Sequence, residues 1–111
     1  MNKCIFCKIV NKQAPATIIF EDEVVLAIMP LEQVSKGHTL LLPKKHFENI
    51  FDIDEEIFIH LSKVMKKLSN KLVKENNLTD DLYRVVVNGG KAQHVPHLHF
   101  HLLGGQWKKF V

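Results

Sequence analysis

Residues 94–103 read HVPHLHFHLL, with four histidines in the first eight positions. From His97 to Leu102 a histidine alternates with a large apolar residue. Successive side chains of a β-strand point to opposite faces. As a strand, this run puts His97, His99 and His101 on one face and Leu98, Phe100 and Leu102 on the other. His94 lies beyond Pro96 and belongs to the loop that leads in. Three uses are open for such a face: binding a metal, attacking a substrate, or plain tolerance within a strand.

Spacing argues against a single metal held by all three. Neighbours on one strand face are about 6.8 Å apart, so the outer pair spans roughly 13–14 Å. Zinc–nitrogen bonds are only about 2.0–2.1 Å long, so one zinc could take two of these histidines but not comfortably the third. Imidazoles titrate near neutrality, and an array of them suits acid, base or nucleophile chemistry on an anionic substrate.

Working outward, Leu82 to Asn88 reads as the neighbouring strand, joined to His97–Leu103 by the loop GGKAQHVP. Thr17 to Phe20 and Val24 to Ile28 are apolar, β-branched runs around Glu-Asp-Glu, the pattern of a hairpin. His38 to Leu42 is a further strand, preceded by Gly37 and stopped by Pro43. Between Asp54 and about Asn76 the period changes. Ile57, Leu61, Val64, Met65, Leu68 and Leu72 fall three and four apart and describe one apolar helix stripe. Asp52, with Glu55 three residues on, has the look of its start. Cys4 to Val10 suits a short helical turn. The expected fold is α+β: a five-stranded antiparallel sheet with one long helix and a short N-terminal helix, in a single domain over 1–111.

The chain has 111 residues, 46% of them apolar and 24% charged, which fits one soluble globular unit with a real core. A net charge of +3 helps to steer a small anion but is too weak to argue for a nucleic-acid partner. No run approaches the roughly 18–20 apolar residues of a membrane span, and the start lacks a secretory h-region. A cytoplasmic protein is the expectation. Disulfides are rare there, which leaves Cys4 and Cys7 as reduced thiols, metal ligands or a redox pair. No βαβ pattern surrounds them as a thioredoxin-like use would require. Asn88, Gly89 and Gly90 with Gln93 either present amide donors to an anion or form a plain turn.

HLHFHLL at 97–103 resembles the His-x-His-x-His-x-x signature of the histidine triad (HIT) family. IFCKIV at 5–10, IIFEDE at 18–23, GHTLLLPKKH at 37–46, RVVVNGG at 84–90 and LLGG at 102–105 are similar to family stretches in the same order. The trailing LGG and the short chain resemble the Hint-like branch. The resemblance implies a homodimeric nucleotide phosphoramidase working on purine nucleoside monophosphate derivatives. A dinucleoside polyphosphate hydrolase and a non-catalytic nucleotide-binding regulator are the alternatives, and a zinc-handling protein with a histidine relay is a third of another class.

By the same resemblance His99 is the nucleophile, forming a transient nucleotidyl-histidine. His101 contacts the phosphate and helps to protonate the leaving group, and His38 completes the catalytic set. Asn88, Gln93, His94, Phe6 and Ile28 are implied in substrate binding. The CIFCKI opening resembles a bacterial zinc-binding subset of the family, which implies structural zinc on Cys4, Cys7, His46 and His97, with no organic cofactor. Two positions depart from the pattern. His94 stands where many relatives carry a small hydroxyl residue. Pro30 stands where Hint-like proteins usually have the aspartate that holds the ribose hydroxyls. Trp107 and Phe110 suit either a tail that approaches a partner's active site or ordinary packing. His60, within the helix, is expected to be partly exposed and without a role.

Overall fold

The structure, a computed structural model, describes residues 3–78, 82–106 and 111. The elements run α1 (Ile5–Val10), β1 (Thr17–Glu21), β2 (Val25–Met29), β3 (Lys36–Pro43), α2 (Glu55–Glu75), β4 (Tyr83–Val87), a short 3-10 turn (Gly90–Ala92) and β5 (Phe100–Gly104). The five strands form one antiparallel sheet in the order β1-β2-β3-β5-β4. The α+β expectation with one long and one short helix is what the chain adopts.

Two apolar layers flank the sheet. On one face Leu61, Val64, Leu68 and Leu72 of α2 pack against Val25, Ala27, Leu41, Leu98, Phe100 and Leu102. Burying side chains of this kind is worth roughly 1.5–3 kcal/mol each before chain entropy is counted. On the other face Phe6 and Ile9 of α1 pack against Leu26, Ile28, Leu40 and Leu42. β3 pairs with β5 so that Leu40 stands opposite His101 and Leu41 opposite Phe100. The histidines therefore share the α1 face, and their apolar neighbours the α2 face, as the alternation requires.

Two boundaries differ from the sequence expectation for physical reasons. The last strand begins at Phe100 rather than His97. Its partner β3 ends in Pro43, which has no amide hydrogen to continue the ladder. The stretch 97–99 is held from elsewhere: the His97 amide donates to Val95 O at 2.8 Å and the Leu98 amide to Phe47 O at 2.7 Å. The long helix is capped by Asp54, not Asp52. Asp54 Oδ1 accepts the amides of Glu56 (2.9 Å) and Ile57 (3.4 Å). Asp52 instead accepts the Glu48 amide at 3.2 Å and closes the preceding turn.

His60 is half exposed as expected, but it has a partner. Its Nε2 lies 2.7 Å from Asp22 Oδ2. Asp22 Oδ1 also accepts the Val24 and Val25 amides, each at 2.8 Å. This contact ties the β1–β2 hairpin to α2. Trp107 and Phe110 lie outside the described residues. Among the described residues no helix is long and apolar enough to cross a membrane.

Candidate active site and metal centre

The stretch 97–101 carries three buried imidazoles: His97 is fully buried, His99 is 3% exposed and His101 5%. Burial opposes the charged form, so all three are pushed below the usual histidine value, His97 to about 4 and His101 to about 3. Neighbouring imidazoles add to the effect at His101. His38, on β3, is held at about 4 by burial alone. At neutral pH all four rings are uncharged, so each carries one proton, and the hydrogen bonds decide which nitrogen has it.

The decisive partners are main-chain groups. The Val34 amide donates to His38 Nδ1 at 3.2 Å, which puts the His38 proton on Nε2. That Nε2 donates to His101 Nδ1 at 3.0 Å, which puts the His101 proton on its own Nε2. His101 Nε2 is buried and has no partner among the described residues. His99 shows the opposite tautomer. Its Nδ1 donates to His97 O at 2.7 Å, leaving Nε2 with a free lone pair. A lone pair and an N–H donor thus stand on adjacent rings whose centroids are 5.0 Å apart. His38 rests against His101, its ring 5.2 Å away.

Both His99 and His101 line a cavity of about 1220 Å³ on the α1 side of the sheet. Phe6, Ile9, Ile28 and Leu40 are among its apolar lining, and the segment Pro30–Val34, His38, His94 and Val111 also border it. Of the sequence-derived binding residues, Phe6, Ile28 and His94 lie on the cavity. Asn88 and Gln93 do not line it: Asn88 Nδ2 donates to the O of Val111, itself a lining residue, at 3.0 Å, and Gln93 Nε2 to Glu48 O at 2.5 Å. The amide of Val34 escaped the sequence reading, and nothing in its side chain could have signalled it. The same holds for the carbonyls of His97 and Pro43.

The second cluster lies at the start of the same stretch. His97 Nε2 donates to Pro43 O at 2.8 Å, so His97 Nδ1 carries a lone pair. That nitrogen is 3.4 Å from Cys4 Sγ and 3.5 Å from Cys7 Sγ, and His46 Nδ1 is 3.2 Å from Cys7 Sγ. The four ligand atoms lie within 4.8 Å of one another, close enough to hold one metal ion. Tetrahedral zinc, with bonds of about 2.3 Å to sulfur and about 2.0–2.1 Å to nitrogen, sets neighbouring S and N ligands about 3.5 Å apart. The three sulfur–nitrogen contacts match that spacing. Desolvation raises the Cys4 thiol above its ordinary value, which a bound cation would reverse. The Cys4 thiol also caps α1, accepting the Cys7 amide at 3.5 Å.

A family model of the HIT domain matches residues 11–107. An uncharacterised HIT-like protein of Methanocaldococcus jannaschii is 41% identical over 102 residues, 90% of this chain and 77% of that protein. The adenosine 5'-monophosphoramidase hnt1 of Schizosaccharomyces pombe is 33% identical, over 90% of this chain and 72% of its own length. The crystal structure of a HIT family protein from Bacillus anthracis superposes with a TM-score of 0.87 at 39% identity, covering 93% of this chain and 73% of that one. With the triad, the sheet order and the cysteine–histidine cluster in place, these likenesses settle the lineage: the chain belongs to the HIT family.

Proposed function

We propose that the protein is a nucleotide hydrolase that cleaves nucleoside monophosphate derivatives, purine nucleoside phosphoramidates above all, through a nucleotidyl intermediate on His99. The observation that carries this reading is the pair of opposed tautomers on one cavity wall. His99 offers a lone pair at Nε2 and His101 a proton at Nε2, which is what displacement at phosphorus needs on its two sides.

In the first step His99 Nε2 forms a bond to phosphorus while the P–N bond to the amine breaks. An anionic phosphoryl group beside the His38–His101 pair favours its protonated form, so the pair takes up a proton with the substrate. His101 Nε2 passes that proton to the departing nitrogen. In the second step water attacks phosphorus, His101 Nε2 receives its proton, and the P–N bond to His99 breaks. The carbonyl of His97 stabilises the positive charge that develops on His99 as it is phosphorylated. Splitting the displacement in two removes the need for a metal-activated water. The kinship with a named monophosphoramidase supports this choice of substrate.

Phe6 and Ile28 supply the apolar wall for the base, with His94 at the edge. Asn88 and Gln93 serve the phosphate once released from Val111 and Glu48. Pro30, on the rim, has no side-chain acceptor for a sugar hydroxyl. A structural zinc sits on Cys4, Cys7, His46 and His97, where it joins α1 to the active stretch. The working unit is a homodimer, supported by the position of β4 at the sheet edge with Val85 and Val87 exposed. The protein acts in the cytoplasm as a single domain, without nucleic acid or membrane partners.

Rapid quench of the protein with an adenosine phosphoramidate, followed by intact-mass analysis, should reveal chain plus adenylyl group. His99→Ala should lack the adduct and lose about 10⁴-fold or more in kcat. An unchanged rate in His99→Ala would sink the nucleophile assignment.

A further inference from the structure

On the proposed function the cavity receives an anion, yet its reactive imidazoles are held uncharged. His38 and His101 lie near 4 and 3, and His99 is lowered as well, in each case chiefly by burial. Among the described residues no lysine or arginine lines the cavity. His94 differs from the other lining histidines in being exposed. Water reaches its ring, so it can carry the charge that burial denies to the rest. Its ring nitrogens have no hydrogen-bond partner among the described residues, so both are available to a ligand.

The chain on either side of His94 is fixed. The Gln93 amide donates to Gly90 O at 3.1 Å and its side chain to Glu48 O at 2.5 Å. Val95 packs against the α1-face cluster, and its carbonyl accepts the His97 amide at 2.8 Å. Pro96 follows with its φ locked by the ring. His94 is thereby kept at the cavity, close enough that a charge on it is felt at both His99 and His101, in addition to the larger effect of burial.

A nucleotide derivative has three parts to place. The base suits the apolar lining of Phe6, Ile9, Ile28 and Leu40, and the reacting phosphorus belongs between His99 and His101. The leaving group remains, and the apolar lining offers nothing to a charge upon it. We infer that His94 is a specificity-determining residue that selects leaving groups bearing a second negative charge, a carboxylate or a phosphate a few bonds beyond the scissile nitrogen. The inference rests on the proposed function and narrows its substrate class to derivatives with an anionic leaving group. An anion held against an imidazole favours the protonated ring, which turns the contact into a charge-assisted hydrogen bond.

The test uses three adenosine phosphoramidates with the same nucleotide and the same kind of P–N bond. Their leaving amines are propylamine, β-alanine and 2-aminoethyl phosphate, with an uncharged, a carboxylate and a phosphate tail. In His94→Ala, kcat/KM should fall about 10-fold further for the charged pair than for the propylamine substrate. His94→Arg restores a cation and should recover most of that excess. The excess should shrink between about 0.05 M and about 1 M salt, because exposed charges are screened. An excess for one tail alone supports the inference and identifies the anion. Equal losses on all three substrates, or an excess that His94→Arg leaves in place, overturn it.

A binding measurement needs no chemistry. In ADP the second phosphate stands for the charged tail, and AMP lacks it. Titration calorimetry should show the preference for ADP over AMP falling about 5- to 10-fold in His94→Ala. An unchanged preference, or no binding of ADP by the parent protein, overturns the inference. A parent protein that cleaves no phosphoramidate would refute the proposed function, while the ADP-to-AMP preference would still judge His94 by itself.

Discussion

The two histidine clusters make an instructive pair because they draw on one stretch of chain and one kind of side chain. At the cysteine cluster, His97 gives its Nε2 proton to Pro43 O and presents Nδ1. Two residues later, His99 gives its Nδ1 proton to His97 O and presents Nε2. His101 accepts at Nδ1 and presents an N–H at Nε2. Three buried neutral imidazoles thus present a lone pair toward two thiols, a free lone pair and a free N–H. The difference lies in which main-chain group faces which nitrogen, and residue type alone says nothing of it.

That comparison can be broken at several points, the most sensitive first. His101→Ala should lower kcat by about 10²- to 10⁴-fold for phosphoramidates with strongly basic amines. The loss should shrink for substrates whose leaving group needs no proton. Equal losses across a leaving-group series would remove His101 from the proton-donor role. His38→Ala should have a smaller effect, about 100-fold or less, because it frees the His101 tautomer without deleting the donor. Steady-state kinetics across the same series would expose an unexpected equality between the two variants.

Acid should probe both clusters through stability. His38, His97 and His101 have folded-state values near 4, 4 and 3, below an unfolded value of about 6.5. The unfolded chain therefore binds more protons below pH 6.5. Stability is intact above that value and falls as pH drops toward 4, by about 1–2 kcal/mol per histidine at pH 5. Thermal melts between pH 7 and pH 4.5 should show this decline, and a flat Tm would contradict neutral burial. The smallest effect expected is that of Asp54→Ala, about 1 kcal/mol from the lost helix cap. It should lower Tm by a few degrees and leave zinc content and kcat untouched, as a control remote from both clusters.

Much of this arrangement was legible in the sequence. The alternation in HLHFHLL separates a polar from an apolar face, and the structure places Leu98, Phe100 and Leu102 against α2 and the histidines against α1. The three-four spacing from Ile57 to Leu72 gives the helix its buried stripe. What stayed hidden is carried by backbone atoms. Nothing in Val34 announces an amide aimed at His38, and nothing in Pro43 announces a carbonyl aimed at His97. The cap fell on Asp54 rather than Asp52 because acidic residues crowd that turn and only one can face the first amides. The amide side chains of Asn88 and Gln93 suit an anion by type, yet each is satisfied by a carbonyl that sequence spacing does not bring near.

One consequence of the backbone-set tautomers concerns how such a site can diverge. On the proposed function, the main-chain groups that set the reacting nitrogens belong to residues 34 and 97, while side chains of Pro30–Val34 and α1 line the cavity. Substitution along the rim can therefore alter what enters the cavity without disturbing the reactive nitrogens, so long as position 34 retains its N–H. If the proposed chemistry holds, a centre insulated in this way would let the cavity lining change while the tautomers of His38, His99 and His101 stay as they are.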